Sequence, residues 1–235
     1  GGSDRQGRRR QGLGHGEGEL GRAPLGRHVV APRPATADVQ EGQPERAVRW
    51  LEKGLAAPGL SAPRRHGLQY DLGAAHEAWH QPADALPALA RGIDLCASSG
   101  DPTWAAWGSC GAALAHTFLG RPSDALSHLD EADAAASALR SRRLALDADA
   151  RRCICEYQLG RWGDARRTIG RGRRLAEGFT SISVTACFDA VDAWLAIADG
   201  GFSAALDTMD DAIDKYLRAG ELQFIPLFVD ARARA

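Results

Sequence analysis

Aromatic residues make up only 6% of this 235-residue sequence, β-branched residues are sparse, and there is a single methionine. Alanine, leucine, arginine, aspartate and glycine dominate instead. Because aromatic and β-branched side chains are the ones that favour strands, this composition argues against a sheet-rich fold and favours helices. A hydrophobic share of 44% is enough to bury a sizeable core, in one large domain or two small ones.

The chain carries almost no net charge, −1, and it lacks long apolar runs. No global field would gather nucleic acid or an acidic membrane surface, so any such binding has to be local. No apolar run approaches the roughly 20 residues that span a bilayer, and no charged-then-apolar leader opens the sequence. We therefore expect a cytoplasmic protein with no membrane partner.

Cysteine motifs are missing as well. The five cysteines form no Cys-x-x-Cys pair and no Cys/His cluster with zinc spacing, and their neighbours are helical and apolar. On a helix, Cys153 and Cys155 point about 200° apart, so they share neither a metal nor a bond. We expect reduced thiols in the core at Cys96, Cys110, Cys153, Cys155 and Cys187.

The first 38 residues are rich in glycine and arginine and show no 3.6-residue apolar period. This composition predicts a disordered segment over residues 1–38, followed by a helical domain over 39–235. A basic arm that contacts nucleic acid is one alternative, but Glu17 and Glu19 interrupt the positive charge and no aromatic residues are interleaved for stacking. A wrongly framed or linker-derived segment is the other.

The two ends of the sequence suggest a fragment. The first residue is glycine rather than methionine, and residues 224–232 stop within an apparent helix. We expect the chain to be a piece of a longer protein.

The strongest signal in the sequence is a period of 40 residues. Its most regular column consists of Ala85, Ala125, Ala165 and Ala205. Five residues before each alanine stands a position suited to closing a helix at positive φ, occupied by His80, Gly120, Gly160 and Gly200. Four residues after each alanine comes a large apolar residue, namely Leu89, Leu129, Ile169 and Met209. Seven after comes a small residue: Gly92, Ala132, Gly172 and Ala212.

A second column of small residues precedes the alanines by twelve positions, at Gly73, Ala113, Cys153 and Ala193. Small residues are expected where two helices of a hairpin approach closely. A less complete copy at 42–51 would supply the second helix of an earlier repeat. Helix-start signals agree with this spacing, since Asp101-Pro102 offers a capping side chain, and Pro82 and Pro122 follow turns.

These columns resemble the tetratricopeptide repeat (TPR): small residues at the hairpin crossing, a glycine at the turn, and an alanine, a large apolar residue and a small residue on the second helix. The resemblance covers residue 43 to the end. It implies an all-α fold, a right-handed superhelix of about four complete antiparallel helix hairpins with a partial one at each end. The 40-residue period exceeds the usual 34 and is similar to the MalT-like repeats of LuxR-type transcriptional activators. HEAT-like repeats share the length range.

One motif points to catalysis. His76-Glu77-Ala78-Trp79-His80 resembles the zincin metallopeptidases in these five residues, and on a helix it would place two imidazoles on one face for zinc. However, His80 occupies the turn position where the helix should stop, and His76 has a repeat counterpart in His116. The metzincin continuation is absent, since Ala83 and Leu86 replace the required glycine and histidine, and no third ligand follows.

Other catalytic signatures are missing. The sequence contains no phosphate-binding loop, no nucleophile elbow and no protein-kinase motif set. We therefore expect no enzyme activity, no cofactor and no metal, with the metallopeptidase as an alternative.

The TPR resemblance implies a binding groove lined by the first helix of each hairpin. Its candidate residues are Tyr70, Glu77, Trp107, Thr117, Asp147, Tyr157 and Trp194, and smaller or apolar members of the same set are Ala74, Leu114, Ile154, Ala190 and Ile197. The large aromatics would anchor a ligand, or would instead pack between repeats. The implied partner is a protein or peptide, or a small effector. The chain would be part of a bacterial signalling or transcriptional regulator, in which nucleic acid is bound by other domains.

Overall fold

A computed structural model describes residues 42–178 and 182–219, together with residues 39, 225, 229 and 232. The segment 1–38, for which disorder is predicted, lies outside the described residues. The helices within them are α1 (Pro44–Leu55), α2 (Ala62–Ala78), α3 (Pro82–Ser99), α4 (Pro102–Phe118), α5 (Pro122–Ala138), α6 (Arg142–Gln158), α7 (Trp162–Ala176), α8 (Ile182–Ala198) and α9 (Phe202–Ala219).

Each helix packs against the next along the chain, and the described residues contain no strand. The hairpins are α2/α3, α4/α5, α6/α7 and α8/α9, and α1 packs on α2 in the place of a preceding second helix. We call α2, α4, α6 and α8 the first helices and α3, α5, α7 and α9 the second helices. This all-α, TPR-like superhelical arrangement confirms the predicted fold class.

The stack curves toward its first helices. First helices of neighbouring hairpins contact one another, from α2 to α4, α4 to α6 and α6 to α8, whereas second helices of neighbouring hairpins are barely in contact. Because the inside of a curved stack is where its elements come closest, the first helices form the inner side. This is the side on which the TPR resemblance places a binding groove.

The turn within each hairpin has the predicted backbone. His80, Gly120, Gly160 and Gly200 all adopt positive φ, at 57°, 69°, 70° and 89°. After α4, the Gly120 N–H donates to the Thr117 carbonyl at 3.1 Å and the Arg121 N–H to the His116 carbonyl at 2.9 Å. These bonds satisfy helix-end carbonyls and hold the two helices antiparallel.

The predicted helix starts are also confirmed. Pro82 and Pro122 begin α3 and α5. Asp101 caps α4, since its Oδ1 accepts from the Thr103 N–H at 3.2 Å and the Trp104 N–H at 3.3 Å. Capping acceptors of this kind satisfy donors that the helix itself leaves open.

Both repeat columns are buried. The alanines at 85, 125, 165 and 205 are at most 2% exposed, as are the large apolar residues that follow them. At the crossing of α2 and α3, a Cβ on Gly73 would lie 2.5 Å from Leu89 Cγ, so this position has no room for a larger residue. All five cysteines are buried and free of disulfides, as expected for core thiols.

A polar contact recurs at one repeat position between the two helices of a hairpin. It joins residues 22 apart in the first three hairpins: Arg91 Nε to Gln69 Oε1 at 3.5 Å, Ser109 Oγ to Glu131 Oε2 at 3.1 Å, and Arg171 Nε to Asp149 Oδ2 at 2.9 Å. In the fourth hairpin the corresponding Asp189 and Asp211 are bridged by Lys215, at 2.9 Å and 2.7 Å. The contact persists although its charges differ from one hairpin to the next.

Candidate interaction surface on the first helices

The His-Glu-x-x-His motif does not lie on one helix. α2 ends at Ala78, and His80 stands beyond it at positive φ with its side chain exposed. The His76 Nδ1 is 3.1 Å from Gln81 Oε1. Within residues 42–178 and 182–219, no group of three His, Cys, Asp or Glu side chains is placed to hold a metal ion. The predicted interruption of the helix at His80 is thus confirmed.

Three of the predicted groove residues come together on the inner side. Tyr70 and Glu77 of α2 and Asp147 of α6 are close enough to influence one another electrostatically. Two residues that the sequence reasoning missed join them, Cys110 of α4 and Arg151 of α6. We call Tyr70, Glu77, Cys110, Asp147 and Arg151 the inner cluster.

An ion pair within α6 crosses one side of the inner cluster. The Arg151 guanidinium pairs with the Asp147 carboxylate one turn before it, and Arg151 Nη1 also donates to the Asp147 carbonyl at 3.2 Å. Both side chains are largely buried, with 12% and 17% exposure. A charged pair with so little contact with water interacts more strongly than one on an open surface.

Glu77 is the acid at the centre of the cluster, and it is only 6% exposed. Burial raises its pKa to about 8, against a smaller lowering by Arg151 and a further raising by Asp147. Its Oε1 is buried and has no hydrogen-bond partner among the described residues. Since buried polar atoms are nearly always satisfied, this oxygen calls for a donor that the described residues do not supply.

Burial also sets the state of the neighbouring Tyr70 and Cys110. It raises the pKa of both groups, so the phenol and the thiol stay neutral at physiological pH. The raised pKa of Glu77 leaves that carboxyl mostly protonated as well. The charges that a ligand would meet in the inner cluster are therefore those of Asp147 and Arg151.

Aromatic rings flank the inner cluster on α4. Trp104 packs edge-on against Tyr70, with ring centroids 5.4 Å apart, and lies 5.8 Å from the His66 ring. Trp107 is partly exposed, and the Arg143 guanidinium lies 5.9 Å from its ring centroid. Trp104 was not among the predicted residues, since its repeat counterparts Arg64 and Leu144 are not aromatic.

The remaining predicted groove residues lie elsewhere. Thr117 is 3% exposed and donates to the Ala113 carbonyl at 2.7 Å, with Cys155 Sγ at 3.2 Å. Trp194 is also 3% exposed, and its ring lies 5.1 Å from that of the partly exposed Tyr157. Leu114, Ile154 and Ala190 are core residues, whereas Ala74 and Ile197 are partly buried.

A membrane-spanning element is not found in the described part of the chain, where no helix combines the necessary length and apolarity.

Comparisons with known proteins relate the chain by fold. No protein-family model matches it, and no curated protein does. Among solved structures it is similar to the nearly identical TPR-like repeats of a putative kinesin light chain from Podosopora anserina, with 17% identity and a TM-score of 0.57 over 80% of this chain and 93% of that one. A variant of that protein with one glutamine replaced by methionine has 16% identity and a TM-score of 0.58, over 80% of this chain and 94% of that one.

Aspartyl phosphate phosphatase F from Bacillus subtilis is also similar, with 10% identity and a TM-score of 0.62 over 86% of this chain and 57% of that one. At such identities the likeness shows the fold alone. The TPR-like architecture is therefore established, while the narrower LuxR-type resemblance stays a prediction.

Proposed function

We propose that this chain is a protein-interaction scaffold that binds a peptide or protein segment along its first helices. The observation that carries the proposal is the unpartnered Glu77 Oε1, buried in the inner cluster near Arg151 and near Tyr70, whose ring packs against Trp104. A main-chain or side-chain N–H of a bound peptide would satisfy that oxygen. A small effector that carries an amine would meet the same acceptor and is the alternative ligand.

The arrangement around Glu77 favours a partner that spans more than one hairpin. The cluster draws its side chains from α2, α4 and α6, and Trp107 with Arg143 extends it along α4 and α6. Partly exposed tryptophan, tyrosine and arginine are the side chains that most often dominate protein interfaces. Stacked helical repeats present such residues on a continuous surface.

Several narrower expectations belong to the same proposal. The chain would work without catalysis, cofactor or metal, because Glu77 faces Arg151 rather than a pair of imidazoles. It would lie in the cytoplasm as part of a bacterial signalling or transcriptional regulator of the LuxR type, for which the 40-residue period is the support. Any contact with nucleic acid would then come from other domains.

The test is selection of peptides from a random display library on the immobilised chain, followed by affinity measurements on purified peptides. The test variants are Trp107→Ala and Glu77→Leu, both on the inner side; leucine removes the Oε1 acceptor, whereas glutamine would keep one. The matched control is Trp162→Ala, which removes a tryptophan that is 42% exposed at the start of the second helix α7.

We expect selected peptides to lose at least tenfold in affinity with each inner-side variant and to keep it with the control. Peptides that respond only to Trp162→Ala would overturn the proposal. So would a library that yields no binder on the wild-type chain.

A further inference from the structure

A cavity of about 580 Å³ opens beside the second helix of the third hairpin, and no residue of the inner cluster lines it. Its charged lining consists of Glu156 from α6 and Asp164, Arg166, Arg167, Arg171 and Arg174 from α7. Volumes between about 300 and 1,000 Å³ are typical of ligand sites. This lining, however, is polar and mainly cationic, unlike the apolar walls of most small-molecule pockets.

The cavity arises from two replacements relative to the second hairpin. At the corresponding positions 40 residues earlier, His116 and His128 stack with ring centroids 5.4 Å apart and occupy the space between the helices. In the third hairpin these positions hold Glu156 and Thr168, which have no rings. The space that the two imidazoles occupy in the second hairpin is therefore open in the third.

Basic character is a local property of α7. This helix carries five arginines and one carboxylate, whereas α5, its counterpart in the second hairpin, carries four carboxylates and neither lysine nor arginine. Some of the arginines hold the stack together, since Arg171 binds Asp149 and Arg173 binds Asp189 and Asp192. Others are not used in this way.

Two of the cavity arginines are available to a ligand. The Arg167 side chain is 75% exposed, and among the described residues it pairs only with Asp164 on its own helix. Arg174 is exposed, and no carboxylate among the described residues pairs with it. Gly170 lies between them on the same helical face, and a Cβ there would contact nothing closer than Arg174 Nη1 at 3.7 Å, so the helix surface between the two arginines is open.

Glu156 adds an acceptor to the same cavity. It is 8% exposed, and its Oε2 is buried with no hydrogen-bond partner among the described residues. An ionised carboxylate alone would not satisfy this oxygen, because it carries no hydrogen-bond donor. The cavity thus requires a ligand that brings both anionic groups and an N–H donor.

We propose that this cavity binds an acidic peptide segment, whose carboxylates pair with Arg167 and Arg174 while a backbone N–H donates to Glu156 Oε2. Arg167 and Arg174 are seven residues apart, or about 10.5 Å along a helix. A peptide in the polyproline II conformation advances about 9.3 Å in three residues and brings every third side chain to the same face, so acidic residues at every third position fit the pair. Arginine forks recognise carboxylates with two parallel hydrogen bonds.

A peptide fits the cavity better than a nucleic acid does. The positive charge covers two turns of one helix and is bordered by acidic side chains, including Asp164 in the lining and Asp199 beside Arg166. The phosphates of a longer nucleic-acid backbone would lie near those carboxylates and be repelled by them. The cavity is separate from the inner cluster, so a ligand can occupy either surface without the other.

The experiment measures binding of a fluorescent peptide with glutamate at every third position, separated by serines, by polarisation in low salt. The test variant is Arg167→Ser with Arg174→Ala, which installs the residues that the second hairpin carries at these positions. The matched control is Arg49→Ser with Arg218→Ala, which removes two exposed arginines elsewhere, on α1 and α9. A third variant, Thr168→His, restores one ring of the second hairpin without removing an arginine.

We expect saturable binding that weakens at least tenfold in the test variant and in Thr168→His and stays within twofold in the control. An equal loss in test and control would mean that total charge alone attracts the peptide, and would overturn the proposal. Equally tight binding of a peptide with lysine in place of each glutamate would also overturn it. So would full displacement of the peptide by inorganic phosphate at a concentration equal to that of the peptide's carboxylates, or tighter binding of an oligouridine.

Discussion

Phe188 of α8 lies where a side chain at Gly172 of α7 would begin. A Cβ on Gly172 would collide with Phe188 Cζ and lie 2.8 Å from Cε1 and Cε2 of the ring. One repeat earlier, the corresponding residues are Ala132 and Ala148, both buried in one core cluster. The junction between the third and fourth hairpins therefore combines a large ring with a glycine where the preceding junction combines two alanines.

Gly172→Ala should destabilise the chain. Overpacking a tight core site costs about 1–3 kcal/mol, which exceeds the gain of up to about 1 kcal/mol from placing alanine in a helix. The matched control is Gly92→Ala in the first hairpin, where the nearest atom to a new Cβ is Gln69 Cβ at 3.4 Å. Urea unfolding should give a lower midpoint for Gly172→Ala and an unchanged or higher one for Gly92→Ala. Equal midpoints would show that Phe188 moves aside freely.

The repeat columns could be predicted because the hydrophobic effect acts on each hairpin in the same way. Every hairpin needs a small residue at its crossing and a positive φ at its turn, so Ala113 and Gly120 have counterparts at every 40th residue. The pairing of Gly172 with Phe188 could not be predicted, because it concerns one junction only. The repeat pattern alone does not reveal a junction at which a large side chain on one hairpin is matched by a small one on its neighbour.

The inner cluster was predicted in part for a related reason. Tyr70, Glu77 and Asp147 were found because the resemblance identifies which positions of a first helix face inward. Arg151 was missed because its repeat counterparts, Asp71, Gly111 and Val191, share neither its charge nor any other property and so form no column. The arginine cavity was missed as well, since it depends on the absence of rings at Glu156 and Thr168.

Arg171→Leu should be among the most damaging single changes on a second helix. Asp149 is 1% exposed, and Arg171 Nε bonds to both of its carboxylate oxygens, at 3.1 and 2.9 Å. Removing one partner of a fully buried ion pair costs about 3–5 kcal/mol, because the other charge stays buried without compensation. The Arg171 side chain is 51% exposed, so solvent screening lowers the expected cost to about 1–3 kcal/mol. Urea unfolding at pH 7 measures this loss.

The control for that change is Arg91→Leu, at the same repeat position. Its partner is the neutral Gln69, at 3.5 Å, so the cost should stay below about 1 kcal/mol. The double variant Asp149→Ala with Arg171→Leu should recover much of the loss. A double variant as unstable as Arg171→Leu alone would show that packing, and not the uncompensated charge, explains the effect.

His80→Gly should stabilise the chain. His80 stands at φ 57°, where the other three hairpins have glycine. A left-handed conformation costs a residue with a Cβ roughly 1–2 kcal/mol, and the greater freedom of glycine in the unfolded chain offsets part of that. We expect a net gain of about 0.5–1 kcal/mol in thermal or urea unfolding, and a loss of similar size for the reciprocal Gly120→His. A lower midpoint for His80→Gly would mean that the imidazole makes a stabilising contact.

The chain should purify without stoichiometric zinc. His80 lies beyond the end of α2, and His76 is hydrogen-bonded to Gln81. Tetrahedral zinc requires at least three protein ligands in a catalytic site, and no such group is found within the described residues. Mass spectrometry of the native chain and of His80→Ala should give the same metal content. One zinc per chain in the wild type, lost in the variant, would establish the metallopeptidase instead.

Stability should fall as the pH rises through the range in which Glu77 titrates. Burial raises the pKa of Glu77 from 4.5 to about 8, so between these values the folded chain holds a proton that the unfolded chain releases. The unfolded state then binds fewer protons, and unfolding becomes easier as the pH rises. The contribution of neutral Glu77 is complete below pH 4.5 and is lost as the pH passes through about 8.

Glu77→Gln isolates this effect, because glutamine keeps the shape of the neutral acid and does not titrate. The free energy of unfolding of the variant, minus that of the wild type, should be small near pH 5, increase steadily toward pH 8 and level off above it. Glu52→Gln is the control, an exposed glutamate on α1 for which the difference should be flat. A flat difference for Glu77→Gln too would mean that Arg151 keeps Glu77 ionised throughout, and that the inner cluster meets its partner with a permanent negative charge.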